Sequence, residues 1–260
     1  MKILLIAANT FKEAIRQRFV LAAGIVALLL TASAKFFLRL DLGHEQLKFV
    51  FDFSSGALNF FGVIMAVAAA CSIMSAETEN KTIITLMSKP VGALDFAAGK
   101  ICGISAAMGV FVLAVFAAAS ASLYAVELQL DGLGIKPANA PDYVSLALYC
   151  FSQWLKLCLC AAMSAAVCSL TRSFLFAVSV SFLCVFCAAI GNALVWLGGG
   201  NWASETVSVL LPNLRLLDAF EPFVFAQPDF KIFAEIFVYA AIYICASAAV
   251  SAFFYSKRDL

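Results

Sequence analysis

Two groups of residues in this 260-residue chain could do chemistry, and neither has the make-up of a catalytic centre. The first is the charged stretch 75–100, SAETENKTIITLMSKPVGALDFAAGK, which carries Glu77, Glu79, Lys81, Lys89, Asp95 and Lys100 between two long uncharged runs. The second is a scatter of polar side chains inside apolar runs: Asn59, Lys156, Asn192 and Glu235. Ionised groups at bilayer depth cost several kcal/mol each. The charged stretch must therefore lie in water, where it can meet a soluble partner. The intramembrane groups must face a bundle interior, a water path or one another.

Motifs for reaction chemistry are missing. A phosphate-cradling loop needs GxxxxGK[ST]. The only Gly-Lys pair here is Gly99-Lys100, followed by Ile101 and with Leu94 at the place of the first glycine. There is no HExxH and no GxSxG. The lone His44 falls in a polar loop and reads as a solvated side chain. All nine cysteines lie in or beside apolar runs, where neither a disulfide framework nor a zinc site is expected. Cys184 and Cys187 form a CxxC within such a run. They read as small soft packing residues, with a thiolate metal path as the alternative. The chain reads as non-enzymatic, with no metal and no cofactor of its own.

The elements that position these residues follow from composition. The chain is 64% hydrophobic and 13% charged, against about 45–50% and about 25% in ordinary soluble domains. Its net charge of +1 favours no nucleic-acid partner. Six apolar runs, at 19–38, 57–76, 101–126, 149–170, 173–197 and 232–255, have the length of membrane-spanning helices. The expected fold is an all-α membrane protein, one transmembrane domain over 1–260. Residues 1–18 precede the first span as an amphipathic helix. Leu4, Ala7, Ala8, Phe11, Ala14 and Ile15 form its lipid face, and Lys2, Asn9, Lys12, Glu13 and Arg16 its polar face. The connections 39–56, 127–142 and 198–231 read as loops. Counting Lys and Arg puts ten on the side of both termini and the 77–100 loop and six on the other. By the positive-inside rule the termini and that loop are cytoplasmic.

Within the loop, residues 77–87 can form a short helix across the membrane surface. Glu77 and Lys81 are then an i,i+4 pair in the favourable order. Ile83, Leu86 and Met87 make an apolar stripe, and Pro90 stops the helix. Such a piece, fixed to two spans, could transmit push and pull. The other reading is a solvated loop with incidental helix.

The pattern Glu-x-x-x-Lys-Thr-Ile-x-x-Leu-x-Ser-Lys-Pro, Glu77 to Pro90, resembles the cytoplasmic loop of ABC-2-type transporter permeases. Asn9-Thr10-Phe11-Lys12-Glu13-x-x-Arg16 resembles their opening interfacial helix, and Leu211-Pro212-Asn213-Leu214 is similar to a segment ahead of their last span. Within that family the chain resembles the branch that holds the permeases of nitrous-oxide-reductase maturation, gliding motility and sodium extrusion. The resemblance implies a half-transporter of the bacterial inner membrane: an exporter subunit without reaction chemistry of its own, paired with a second permease copy and surrounded by lipid. A separate ATP-binding subunit would hold ATP and Mg and dock on Glu77, Glu79, Lys81, Thr82, Ile83, Leu86, Met87, Lys89 and Pro90. Two rival readings stand beside it. One is a membrane assembly or anchoring factor that docks a soluble partner without transport; the other is a membrane-embedded enzyme, for which the runs offer no acid–base dyad beyond the separated Lys156 and Glu235.

Lys156 and Glu235 could pair across two spans in the outer half and, with Asn192, shape a substrate pathway. Equally, each could snorkel or pair for packing alone.

Overall fold

The computed structural model describes residues 2–34, 46–79, 92–132, 141–171, 173–197, 211–226 and 230–257; the side chains of Lys2, 77–79 and 191–197 lie outside that description. Every regular element among these residues is helical. In chain order they are α1 (Lys2–Arg16), α2 (Arg18–Ser33), α3 (Gln46–Glu79), α4 (Ala93–Gly132), α5 (Tyr143–Leu170), α6 (Phe174–Leu197), the single turn α7 (Arg215–Asp218), a 3-10 turn (Glu221–Phe225) and α8 (Phe230–Lys257).

By length and composition α3, α4, α5 and α8 can each cross a membrane. The pair α1–α2, bent by 66°, can supply another crossing, and residues 174–190 of α6 form a shorter apolar helix. Several helices outrun the apolar segments that announced them. Gln46 to Gly56 and Glu127 to Gly132, expected in loops, continue α3 and α4. An apolar run marks only the stretch in hydrocarbon, whereas a helix satisfies its backbone internally and need not stop at the interface. Tyr143 begins α5 without a break because Asp142 caps it, accepting from the Ser145 amide at 3.1 Å and the Ser145 hydroxyl at 2.8 Å. Those bonds, led by the hydroxyl, hold the Asp142 carboxyl below its usual range.

α5 is the central helix, and α3, α4, α6 and α8 pack around it. Its approach to α3 needs Gly62, where a Cβ would stand 2.9 Å from Leu157 Cδ1. Ala66, Ala69 and Ala70 on α3 and Ser164 and Ala165 on α5 are fully buried, as close helix packing in membranes favours. Leu21, Ile25 and Leu29 on α2 and Val238 and Ile242 on α8 are exposed, which suits a lipid-facing surface.

The ends of the bundle are distinguishable. At one, α1, the start of α4 and the end of α8 meet: Glu13 pairs with Lys100 at 3.6 Å, and the Phe96 and Tyr255 rings meet edge to face at 5.7 Å. The N-terminal helix, one arm of the 77–100 loop and the C-terminal end of α8 therefore share a face. At the other end, Leu47, Phe51, Leu146, Tyr149, Phe220 and Val224 form a separate core cluster.

Residues 211–226, expected as part of a long connection, fold back into that second end. The Leu214 amide donates to the Ala188 carbonyl at 3.3 Å, and the Asp142 amide donates to the Val224 carbonyl at 2.9 Å. Ala188 lies about 20 Å along α6 from its start at 1.5 Å per residue; Asp142 lies at the very start of α5. The segment thus runs from depth back to the surface, anchored by buried Leu214, Leu217, Phe220 and Val224.

Candidate functional site

Two places collect the residues that the sequence singled out. The first is the loop end of the bundle. Glu77 and Glu79 belong to the last turn of α3, so the backbone there prolongs the span and does not begin a separate surface helix. Lys81, Thr82, Ile83, Leu86, Met87, Lys89 and Pro90 lie outside the described residues, as do the side chains of Glu77 and Glu79. The returning arm is described in full. Ala93 opens α4, and Lys100 is only 2% exposed, 5.9 Å above the Phe96 ring and beside Glu13.

α1 sits directly on this arm, and its orientation departs from the simple two-faced reading. Thr10 and Ala14 are fully buried, while Leu4 and Leu5 are exposed. A Cβ on Gly103 would come within 2.6 Å of both the Ala7 carbonyl oxygen and the Thr10 Cβ; one on Gly99 would lie 2.9 Å from Ile6 Cβ. The Thr10 hydroxyl is satisfied within its own helix by the Ile6 carbonyl at 2.9 Å, so it can be buried against glycine without penalty. A helix that meets both lipid and protein needs two apolar faces. Residue types alone do not say which is which.

The second place is a polar seam between α3, α5 and the re-entrant segment. On α3, Lys48, Asp52, Ser55 and Asn59 recur at helical spacing, and on α5 Tyr149, Gln153 and Lys156 do the same. The Lys156 ammonium donates to Asp218 Oδ2 at 2.7 Å, to Asp218 Oδ1 at 2.8 Å and to Asn59 Oδ1 at 2.8 Å. Gln153 Nε2 donates to Asp218 Oδ1 at 2.9 Å. The expected pairing of Lys156 with Glu235 is not formed; Glu235 is exposed on α8. The reason is depth. Lys156 lies about 20 Å from the start of α5 and Glu235 about 8 Å from the start of α8. Asp218 reaches the deeper level because α7 re-enters. Asn192 belongs to α6, but its side chain lies outside the described residues.

Asp218 is the residue that reading by sequence missed. It sits in a stretch with the Pro and Asn of a loop. The available signal was the apolar spacing of Leu214, Leu217, Phe220 and Val224, one turn apart each time.

Toward Asp52 and Glu221 the seam opens. Lys48 and Asp52 are exposed, and Glu221 is part-buried. Burial raises the Glu221 pKa, with Asp52 and Asp218 adding to it and Lys156 and Lys48 partly offsetting it. A cavity of about 30 Å³ lies on the α4 side of Tyr149, walled by Phe51, Leu58, Val115 and Leu146. Cys71 is a buried packing thiol, its Sγ 3.5 Å from Ser181 Oγ within the core, whereas Cys184 and Cys187 are part-buried. No group of three or more His, Cys, Asp or Glu able to hold a metal ion occurs among the described residues.

The seam is a buried ion pair with graded access from one face. The loop end is a pair of long helices gripped by an N-terminal helix. Among the described residues neither shows a nucleophile with an adjacent base, and both suit movement or recognition. A family model described as ABC-2 family transporter protein matches residues 4–260. No curated protein matches the chain.

Proposed function

Because the chain belongs to the ABC-2 family of transporter proteins, we propose that it is the six-span permease subunit of an exporter, driven by a separate ATP-binding subunit docked on the 77–100 loop. On this reading ATP and Mg are held by the partner, a second permease copy completes the pathway, and the unit lies in a bacterial inner membrane with both termini and the loop in the cytoplasm. Membership of a transporter family makes the chain a multi-pass component of an ABC transporter; docking, pairing and direction are the parts proposed.

The observation that carries the docking is the continuity of the loop's two arms. α3 is helical to Glu79 and α4 from Ala93 onward for 40 residues, about 60 Å at 1.5 Å per residue. A force on the loop would therefore pass along two unbroken rods, one of which carries Asn59 of the seam. α1, fitted onto Gly99 and Gly103, would move with the second rod. Glu77, Glu79, Lys81 and Lys89 supply charge for the contact, Ile83, Leu86 and Met87 the apolar stripe, and Thr82 and Pro90 its ends.

The test is a mild-detergent pull-down of the tagged chain with mass spectrometry of what accompanies it. Recovery of an ATPase bearing a P-loop, lost in Lys81→Glu/Lys89→Glu, supports the reading. A well-folded chain that brings down no ATPase would favour the anchoring alternative.

A further inference from the structure

The seam around Lys156 holds acceptors that the protein itself leaves unfilled. Gln153 is fully buried; its amide nitrogen serves Asp218, but its Oε1 has no hydrogen-bond partner. The Tyr149 hydroxyl, also buried, lies near Ser55 and Asn59 but makes no hydrogen bond of good geometry with either, and it is within electrostatic reach of Asp218 and Glu221. A buried polar atom without a partner costs about 1–3 kcal/mol, so two of them in one seam point to something that fills them.

The chemistry of that group follows from the surroundings. Among the described residues the charged groups around Glu221 are the carboxylates of Asp52 and Asp218 and the ammonium groups of Lys48 and Lys156. The side chain of Asp218 stays 29% exposed despite its pairing with Lys156, so its carboxylate is reachable. An anion would meet the Asp218 and Glu221 carboxylates, with the Lys156 ammonium already engaged by Asp218 and Asn59. A bare metal ion would find no metal-holding group among the described residues. The acceptors Gln153 Oε1 and the carboxylates ask for a positively charged donor. Beside them, Phe51 meets Tyr149 at 5.2 Å and Phe225 at 5.6 Å between ring centroids, an aromatic wall fit for an alkyl body and for the face of a cation.

We propose that the seam binds a primary ammonium group on a short apolar body, entering from the Asp52–Glu221 end, with Glu221 and Asp218 supplying charge and Gln153 Oε1 and the Tyr149 hydroxyl taking its N–H donors. This concerns the seam's own geometry and does not depend on which subunit docks at the loop. Its failure is therefore distinguishable from failure of the docking reading, which the pull-down decides.

The site titrates with its ligand. The groups facing Glu221 are Asp52 and Lys48 of α3, Asp218 of α7, and Lys156 and Tyr149 of α5. Burial and the two acids favour its protonated form, whereas a bound ammonium favours the carboxylate. Binding should release a proton and tighten as pH rises through the Glu221 titration.

The experiment uses the full chain in detergent with n-butylammonium chloride as the probe, followed by calorimetry and by thermal unfolding. Sodium chloride, potassium chloride and n-butanol at equal concentration are the comparisons. The expected result is saturable binding of butylammonium alone. It should weaken at least tenfold in Glu221→Gln and Gln153→Met and lose its pH dependence in Glu221→Gln. Glu221→Gln is isosteric on a part-exposed turn, so it keeps the test open if Gln153→Met fails to fold. An equal response to sodium or potassium, or no saturable response, overturns the proposal and assigns the two unfilled atoms to water.

Discussion

Lys156 and Asp218 stand 62 positions apart in the chain, yet the ammonium of one lies 2.7 Å from the carboxylate of the other. Removing one partner of a buried pair typically costs about 3–5 kcal/mol; here the 29% exposure of Asp218 reduces that. Lys156→Met is expected to destabilise the chain by about 2 kcal/mol in detergent unfolding. Lys156→Met/Asp218→Leu should recover part of the loss, because no lone charge is left behind. Equal stability of Lys156→Met and wild type would show that the pair does not hold the re-entrant segment.

Gly103 sets the seat of α1. Its replacement by alanine puts a Cβ 2.6 Å from the backbone oxygen of Ala7, and overpacking of this kind costs about 1–3 kcal/mol. Gly103→Ala should speed amide exchange along α1. Gly56→Ala, where an added Cβ meets nothing within 4 Å, should leave exchange unchanged or slower. The same response from both variants would mean that α1 is not seated by the glycine.

Glu221 links stability to pH. Its pKa is raised above the ordinary 4.5, chiefly by burial. Its contribution is therefore fully present below about 4.5 and is lost as pH rises through the folded value. Glu221→Gln should be more stable than wild type at neutral pH, and the gap should close in acid. Thermal unfolding across that range decides it, and a constant gap would count against the assignment.

Reversal of charge on the loop separates assembly from coupling. Lys81→Glu/Lys89→Glu should reach the membrane in normal amount while transport falls to background. Substrate-independent readouts serve here: chain abundance in membranes, and the ATPase rate of the co-purified complex. Loss of the chain from the membrane would indicate a folding role for those lysines.

Much of the fold was legible because the bilayer acts on composition. Runs of about 20 apolar residues have few other uses, so α2 to α6 and α8 appear where the runs lie, and the charged stretch after residue 76 had to leave the hydrocarbon. The helix ends were less legible. Hydropathy stops at the interface, whereas the backbone bonds of α3 and α4 continue through Lys48 and Glu127.

By itself the sequence determined that this is an all-helical membrane chain and which residues must be wet, and it left Lys156 either paired or snorkelling. Tertiary structure decided which partner. Glu235 looked suitable because it lies in another span, but two charges pair only at the same depth. The depth of Asp218 comes from a turn held by Leu214, Leu217, Phe220 and Val224 against other helices. The seat of α1 was settled in the same way. Its apolar residues could face lipid or protein, and only the glycines of a helix some 90 positions later provide the groove that chooses Thr10 and Ala14. Local pattern reports what a side chain can tolerate, and long-range packing selects what it meets.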